Sequence, residues 1–158
     1  MSATIGEIFT VGATAIGLLV AQSLQVAGPS GSIPVLEPSL TTFWIPFLVA
    51  MLGALAIIHV FVYTVGRWTT GFAVMFAAVE IAWAAPIVWL ALKGTLINPA
   101  FAAHIGYPAL SDGDAPVMLA IAIFSTVITA WEIFDVFRKT RRAQGTGGLL
   151  GASLSMRR

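Results

Sequence analysis

The chain has 158 residues, of which 58% are hydrophobic and only 9% are charged. A soluble domain typically carries about 25% charged residues, and a chain this short cannot hide so much apolar surface from water. The composition therefore excludes an ordinary soluble protein and predicts an integral membrane protein. The absence of cysteine excludes disulfides, thiolate catalysis and cysteine-ligated metal centres.

Four continuous apolar stretches are long enough to cross a hydrocarbon core, which takes about 20 helical residues. Their bounds are about 8–26, 43–65, 71–92 and 115–137. Helices are favoured over barrel strands because hydrophobicity does not alternate with period two. We therefore predict an all-α fold, an integral membrane four-helix bundle of antiparallel up-down-up-down topology within residues 1–142.

The predicted connections differ in length and composition. Residues 28–42 form a loop rich in Pro, Gly and Ser, and residues 93–114 form a second long loop. The connection at 66–70 is so short that the second and third helices should form a tight hairpin. Residues 143–158 have the composition of a linker and are predicted to be disordered.

Six of the eight basic residues lie at the C-terminal end of the chain. Because basic residues concentrate on the cytoplasmic side, we expect a multi-pass protein of the inner (plasma) membrane with both termini in the cytoplasm. We expect lipid headgroup contacts from four of them, Arg138, Lys139, Arg141 and Arg142. The expected partners are membrane lipids and other membrane proteins or a second copy of the chain, not nucleic acid, because the basic cluster directly follows an apolar helix.

Three ionisable residues fall at membrane depth: His59, Glu80 and Glu132. Such groups are costly in lipid, so each needs a partner or a purpose. At about 1.5 Å of rise per residue, Glu80 lies near the midplane and Glu132 about 9 Å before Arg138, in the cytoplasmic half with His59. We expect no second carboxyl group at the depth of Glu80. The three residues form either a proton or cation site or a set of interhelical hydrogen bonds.

The loops carry no recognisable catalytic or metal-binding pattern. Asp112-Gly113-Asp114 lacks the further ligands of a calcium loop, and His104 stands alone. A haem on His59 would need a second histidine at similar depth, whereas His104 falls on the other side of the membrane. The sequence therefore predicts a protein that is not an enzyme and holds no metal or cofactor.

Three short motifs between residues 65 and 101 provide a family resemblance. They are Gly66-Arg67-Trp68-Thr69, Pro86-Ile87-Val88-Trp89-Leu90 and Leu96-Ile97-Asn98-Pro99. This stretch resembles the membrane region of bacterial HAAS signalling, or permease-prefix-domain, proteins. The resemblance implies regulation or signalling through partner proteins. The soluble helical domain that precedes the membrane region in that family is not expected here, because the first predicted helix starts close to Met1.

Two functions follow from these observations. The first is a non-enzymatic accessory or regulatory and signalling subunit that acts through membrane protein partners. The alternative is a small proton- or cation-coupled transporter that uses Glu80 and His59. The two differ in whether the polar residues inside the membrane face a ligand or merely one another.

Overall fold

The computed structural model describes the backbone of residues 2–28 and 31–155, and side chains within 11–28 (without 15 and 18) and 31–144. The chain is mostly helical, at 76%. The helices in chain order are α1 Ser2–Ser23, α2 Trp44–Val65, α3 Thr70–Leu92, the short α4 Pro99–His104, and α5 Pro116–Ser155. Three of them, α2, α3 and α5, are long and apolar enough to cross a membrane, which confirms the helical class and the membrane character.

The predicted first span, residues 8–26, has different bounds in the structure. α1 ends at Ser23, whose hydroxyl donates to the Val20 carbonyl at 2.7 Å, and the chain then becomes extended. A side chain that bonds its own backbone competes with the helical pattern and favours a helix end. The described apolar part of α1, Val11–Ser23, is shorter than a full span, so membrane crossing by α1 stays a prediction.

The first long loop contains regular structure that the sequence did not predict. Strand β1, Gln25–Gly28, pairs in antiparallel fashion with β2, Gly31–Pro34, and Val26 lies opposite Ile33. A 3-10 turn follows at Pro38–Thr41. The β-branched pair suits extended backbone, but strands of 4 residues are too short for an alternating pattern to stand out among Pro, Gly and Ser.

The two long connections are attached to each other through Asn98, which is buried. Its Nδ2 donates to the Pro34 carbonyl at 3.0 Å, and its Oδ1 accepts from the Ala100 N–H at 2.9 Å. The second bond caps the N-terminus of α4. Together with backbone bonds from Asn98 N–H to the Val35 carbonyl and from Glu37 N–H to the Leu96 carbonyl, this side chain holds the first connection against the start of α4.

Two glycines let the second connection fold back tightly on itself. Gly94 has a φ of +66°, and a Cβ there would collide with the Ser111 carbonyl and the Gly113 amide. A Cβ on Gly113 would in turn collide with the Leu92 carbonyl. The connected loops, residues 24–43 and 93–115, are called the loop end below.

The tight connection predicted between the second and third helices is confirmed. α2 ends at Val65, Gly66 adopts a φ of 75°, and its N–H donates to the Val62 carbonyl at 2.9 Å. The Thr69 hydroxyl accepts from the Phe72 N–H at 3.3 Å and caps α3. Residues 66–69, together with 140–144 of α5, are called the turn end below.

α5 is longer than predicted. It starts at Pro116 but continues past the predicted end at Phe137 to Ser155, into the segment 143–158 for which disorder was predicted. Residues 138–144 are mainly Lys, Arg, Ala and Gln, which are good helix formers. At the turn end Gln144 Nε2 donates to the Thr70 hydroxyl at 2.9 Å. The last part of the predicted tail, residues 156–158, lies outside the described residues.

Each long helix packs against the next long helix along the chain: α1 against α2, α2 against α3, and α3 against α5. The largest buried cluster joins α2, α3 and α5 towards the turn end and includes Leu55, Trp68, Phe76 and Val136. Two smaller clusters close the loop end, one around Met118 and Ala91 and one around Leu40 and Leu90. Leu55, Phe76 and Val136 of the largest cluster also line a space among the helices.

Candidate functional site

A cavity of about 600 Å³ lies among the four long helices, and each of them contributes to its lining. The lining residues of α3 are Phe76, Glu80, Trp83, Ala84 and Ile87. Their spacing of three and four places them on one face of the helix. Along α5 the lining extends from Ser125 to Lys139, which corresponds to about 21 Å of helix. The cavity is therefore a long space parallel to the helices.

The polar groups of the cavity are concentrated in the part nearer the turn end. Charged or ionisable lining residues come from α2, α3 and α5 and are His59, Glu80, Glu132, Asp135 and Lys139. The walls nearer the loop end are mostly apolar and include Leu52, Trp83, Ala84 and Ile87. The three site residues predicted from the sequence thus face the same cavity.

The carboxyl groups of Glu80 and Glu132 lie close enough across α3 and α5 to share a hydrogen bond. The Glu80 side chain is only 4% exposed, so water does not compete strongly for this bond. A carboxylate only accepts hydrogen bonds, so one member of the pair must carry the proton that the bond requires. The pair can therefore release or take up a proton, or offer negative charge to a cation.

The expectation that no second carboxyl group lies at the depth of Glu80 is wrong. That expectation measured the depth of Glu132 from Arg138, just past the predicted end of the fourth span at Phe137. In the structure, Gln144 is the residue of α5 that lies beside the start of α3. Measured from that level, Glu132 lies about 18 Å along α5 and Glu80 about 15 Å along α3. The longer helix brings the two carboxyl groups to nearly the same depth.

The His59 ring is buried and fixed on several sides. Its Nδ1 lies 2.8 Å from the Leu55 carbonyl, and because a carbonyl only accepts, Nδ1 carries the proton. The ring makes edge-on contacts with Trp68 and Phe76, at centroid distances of 5.9 and 5.6 Å. A tryptophan beside a helix end is typical of the membrane–water boundary. Trp68 is nevertheless only 8% exposed and packs inside the protein.

Two of the four basic residues predicted to meet lipid headgroups form ion pairs with Asp135. Lys139 Nζ lies 2.9 Å from the Asp135 carboxylate, and Arg138 also bonds it. Arg141 and Arg142 are exposed. The prediction of headgroup contacts therefore stays open for all four residues, but Arg138 and Lys139 also serve an ion-pair network beside the cavity.

Sequence reasoning missed the role of Trp83 in the cavity wall. Trp83 follows Glu80 by three residues, so helical spacing alone already placed the ring on the face of Glu80. Ser125 and Thr129 lie on the face of α5 that carries Glu132, seven and three residues before it.

Neither metal coordination nor a known relative explains the cavity. Within the described residues, no group of three or more His, Cys, Asp or Glu side chains is placed to hold a metal ion. Comparison with protein-family models, with curated proteins and with solved structures finds no match to this chain. The resemblance to the HAAS group therefore stays a prediction, and the function must be inferred from the cavity itself.

Proposed function

We propose that the protein is a small membrane transporter that exchanges protons for a cation at the Glu80–Glu132 pair. The observation that supports this proposal is the position of the pair, which faces a cavity of about 600 Å³ lined by four helices. A hydrogen bond that only holds two helices together needs no open volume beside it. A pair of carboxyl groups at a cavity can instead bind a proton or a cation in turn.

The proposal includes an arrangement in the membrane. The four long helices form an antiparallel up-down-up-down bundle in the plasma membrane, with the turn end and both termini in the cytoplasm. The basic residues of α5 at positions 138–142 support this orientation by the positive-inside rule. The polar half of the cavity then lies towards the cytoplasm, and the apolar half extends past the midplane.

The test is cation-driven proton release from vesicles. The full chain is reconstituted into liposomes that contain a fluorescent pH indicator and an acidic lumen, and external monovalent cations are added one at a time. We expect at least one inorganic or organic monocation to raise the luminal pH, and Glu80→Gln to abolish the effect. Substitution of the carboxyl group by an amide keeps its size but removes the exchangeable proton.

A matched control is available in the loop end. Asp114 is an exposed carboxylate outside the cavity, so Asp114→Asn should retain the wild-type exchange rate. The proposal fails if no cation drives proton release, or if Glu80→Gln exchanges as fast as the wild type. Circular dichroism and size-exclusion chromatography of each variant exclude misfolding as the cause of a loss.

A second function is favoured by the surface of α5. Only 11% of its apolar window is buried, against 39% for α2 and 28% for α3. Exposed aromatic residues on it include Phe124, Trp131 and Phe134. We propose as the alternative an accessory or signalling subunit whose partner helix packs on this face. Native-membrane purification should then yield a stoichiometric partner that Trp131→Ala releases, whereas a partner-free species would contradict this alternative.

A further inference from the structure

We infer that the ligand of the cavity is an amphipathic organic monocation. Its positive group binds at the Glu80–Glu132 pair, and its apolar body extends along Trp83 towards the loop end. This inference rests on the proposed cation site and names the class of molecule that the site takes. Four features of the cavity support it: its charge, its lack of metal ligands, its size and the uneven distribution of polar groups along it.

The charges of the cavity suit a ligand with one positive charge. Among the described lining residues, the opposite charges of Asp135 and Lys139, 2.9 Å apart, cancel each other. The remaining acidic group is the Glu80–Glu132 pair, which carries one negative charge when one of its two carboxyl groups is protonated. A monocation neutralises this pair, whereas a dication would leave an uncompensated charge in a largely apolar space.

The acidic and histidine side chains of the cavity do not suit a calcium or zinc ion. Calcium takes 6–8 oxygen ligands, and zinc usually takes four ligands of which at least three come from the protein. No group of three or more His, Cys, Asp or Glu side chains in the described part of the chain meets that need. An organic ammonium group has no such requirement, because one negative partner and an aromatic face are enough to bind it.

The size and walls of the cavity suit a ligand with an apolar body. Cavities that bury small organic molecules have volumes of about 300–1,000 Å³, and this one has about 600 Å³. A proton or a small inorganic ion would leave most of that volume unused. From Glu80 towards the loop end the α3 wall consists of Trp83, Ala84 and Ile87, so a ligand held at the carboxyl pair would place its remaining atoms against apolar surface.

Trp83 gives the wall a specific preference for positive charge. It stands less than one turn from Glu80 on the same face of α3. The face of an indole ring attracts an ammonium group with about 0.5–2 kcal/mol, more than other aromatic rings. A cation held near Glu80 is therefore within reach of both a carboxylate and an aromatic face.

Proton and cation should compete for the carboxyl pair. The other titratable groups that line the cavity are His59 on α2 and Asp135 and Lys139 on α5, and the described lining residues of α1, Val11 and Thr14, are uncharged. When both Glu80 and Glu132 are protonated the pair is neutral and attracts a cation weakly. Loss of a proton creates the negative charge, so affinity should rise as the pH is raised.

The test compares three probes that separate charge from apolar surface. Benzyltrimethylammonium has both features, tetramethylammonium has only the charge, and neopentylbenzene has the shape of the first without its charge. Binding of each to the full chain in lipid nanodiscs is measured by calorimetric titration at several pH values. We expect benzyltrimethylammonium to bind at least about tenfold more tightly than either of the others, since it alone uses both parts of the cavity.

Substitutions test whether the binding depends on Glu80, Glu132 and Trp83. Glu80→Gln and Glu132→Gln should each weaken benzyltrimethylammonium binding about tenfold or more. Trp83→Leu keeps the apolar surface and should weaken it about fivefold. Asp114→Asn should bind like the wild type. Both carboxyl variants are used so that one poorly folded protein does not decide the result.

Each outcome has a distinct meaning. Equal binding of benzyltrimethylammonium and neopentylbenzene, or unchanged binding in both carboxyl variants, would overturn the inference. Proton release that depends on Glu80 and responds only to inorganic cations would support the transporter and refute the organic ligand. Charge-dependent binding without any proton exchange would establish the ligand class and refute the transporter.

Discussion

The loop end and the cavity use polar groups in opposite ways. In the loop end, the buried Asn98 side chain bonds backbone groups at 3.0 and 2.9 Å and joins two loops. In the cavity, the carboxyl groups of Glu80 and Glu132 face each other across two helices, beside open volume. Amide groups that are fully paired with backbone fix a structure, whereas ionisable groups beside a cavity can change protonation state and partner. Stability and function should therefore respond to substitutions in different parts of the chain.

This difference predicts the largest loss of stability at Gly94. Its φ of +66° disfavours any side chain, and a Cβ would meet the backbone of Ser111 and Gly113, which cannot rotate away. We expect Gly94→Ala to lower the free energy of unfolding by about 3 kcal/mol or more. Thermal unfolding of the detergent-solubilised protein, followed by tryptophan fluorescence, measures the change.

Gly53 provides the matched control for that substitution. It lies within α2, and a Cβ there would meet nothing within 4 Å. Because alanine favours helix more than glycine does, Gly53→Ala should leave stability unchanged or raise it by up to about 1 kcal/mol. If Gly94→Ala is as stable as Gly53→Ala, the close approach of the loops is not present in the protein.

A smaller loss of stability is predicted when Asn98 is substituted. Two variants should separate the contribution of its bond to Pro34 from that of the helix cap. Asn98→Ala removes the bond to Pro34 and the cap on Ala100, and should cost about 2 kcal/mol. Asn98→Ser retains an oxygen for the cap and should lose only about 1 kcal/mol. Equal losses in the two variants would show that the cap contributes nothing. Binding of benzyltrimethylammonium should remain at the wild-type level in both, because neither residue change reaches the cavity.

The long apolar elements could be predicted from the sequence, but the structure of the loop end could not. α2 and α3 differ from their predicted bounds by only one residue at their starts, because Gly66 and Thr69 are strong signals for a helix end and a helix cap. The hydrogen bond from Asn98 to the Pro34 carbonyl joins segments that are 64 residues apart in the sequence. Patterns within one segment carry no information about such a contact.

The residues of the candidate site were predicted from the sequence, but the depth of Glu132 relative to Glu80 was not. His59, Glu80 and Glu132 stand out because ionisable residues are rare at membrane depth. Their mutual positions depend on how far α5 extends past α3, and no local pattern marked the end of α5. The predicted end at Phe137 displaced Glu132 from Glu80 and hid the carboxyl pair. The alignment of α5 with α3 is therefore the feature whose direct test matters most for the site.

That alignment can be tested with almost no effect on stability. The chain has no cysteine, so two introduced cysteines are the only thiols present. Thr70 and Gln144 are exposed and share a hydrogen bond of 2.9 Å, whose removal should cost at most about 1 kcal/mol. We expect the Thr70→Cys/Gln144→Cys protein to react rapidly with a short bifunctional thiol reagent. The product is measured by mass spectrometry of the linked peptides.

The control moves one cysteine along α5 to Phe134, which is 59% exposed and about 15 Å closer to the loop end. Thr70→Cys/Phe134→Cys should react many times more slowly, because the reagent cannot span that distance. If Thr70→Cys/Phe134→Cys is linked faster than Thr70→Cys/Gln144→Cys, then Arg138 rather than Gln144 lies at the depth of Thr70. Glu132 would then lie several ångströms nearer the turn end than Glu80, and the two carboxyl groups could not share a proton. Preferential linkage at Gln144 instead fixes both carboxyl groups at one depth, which is the condition for proton exchange and cation binding at a single site.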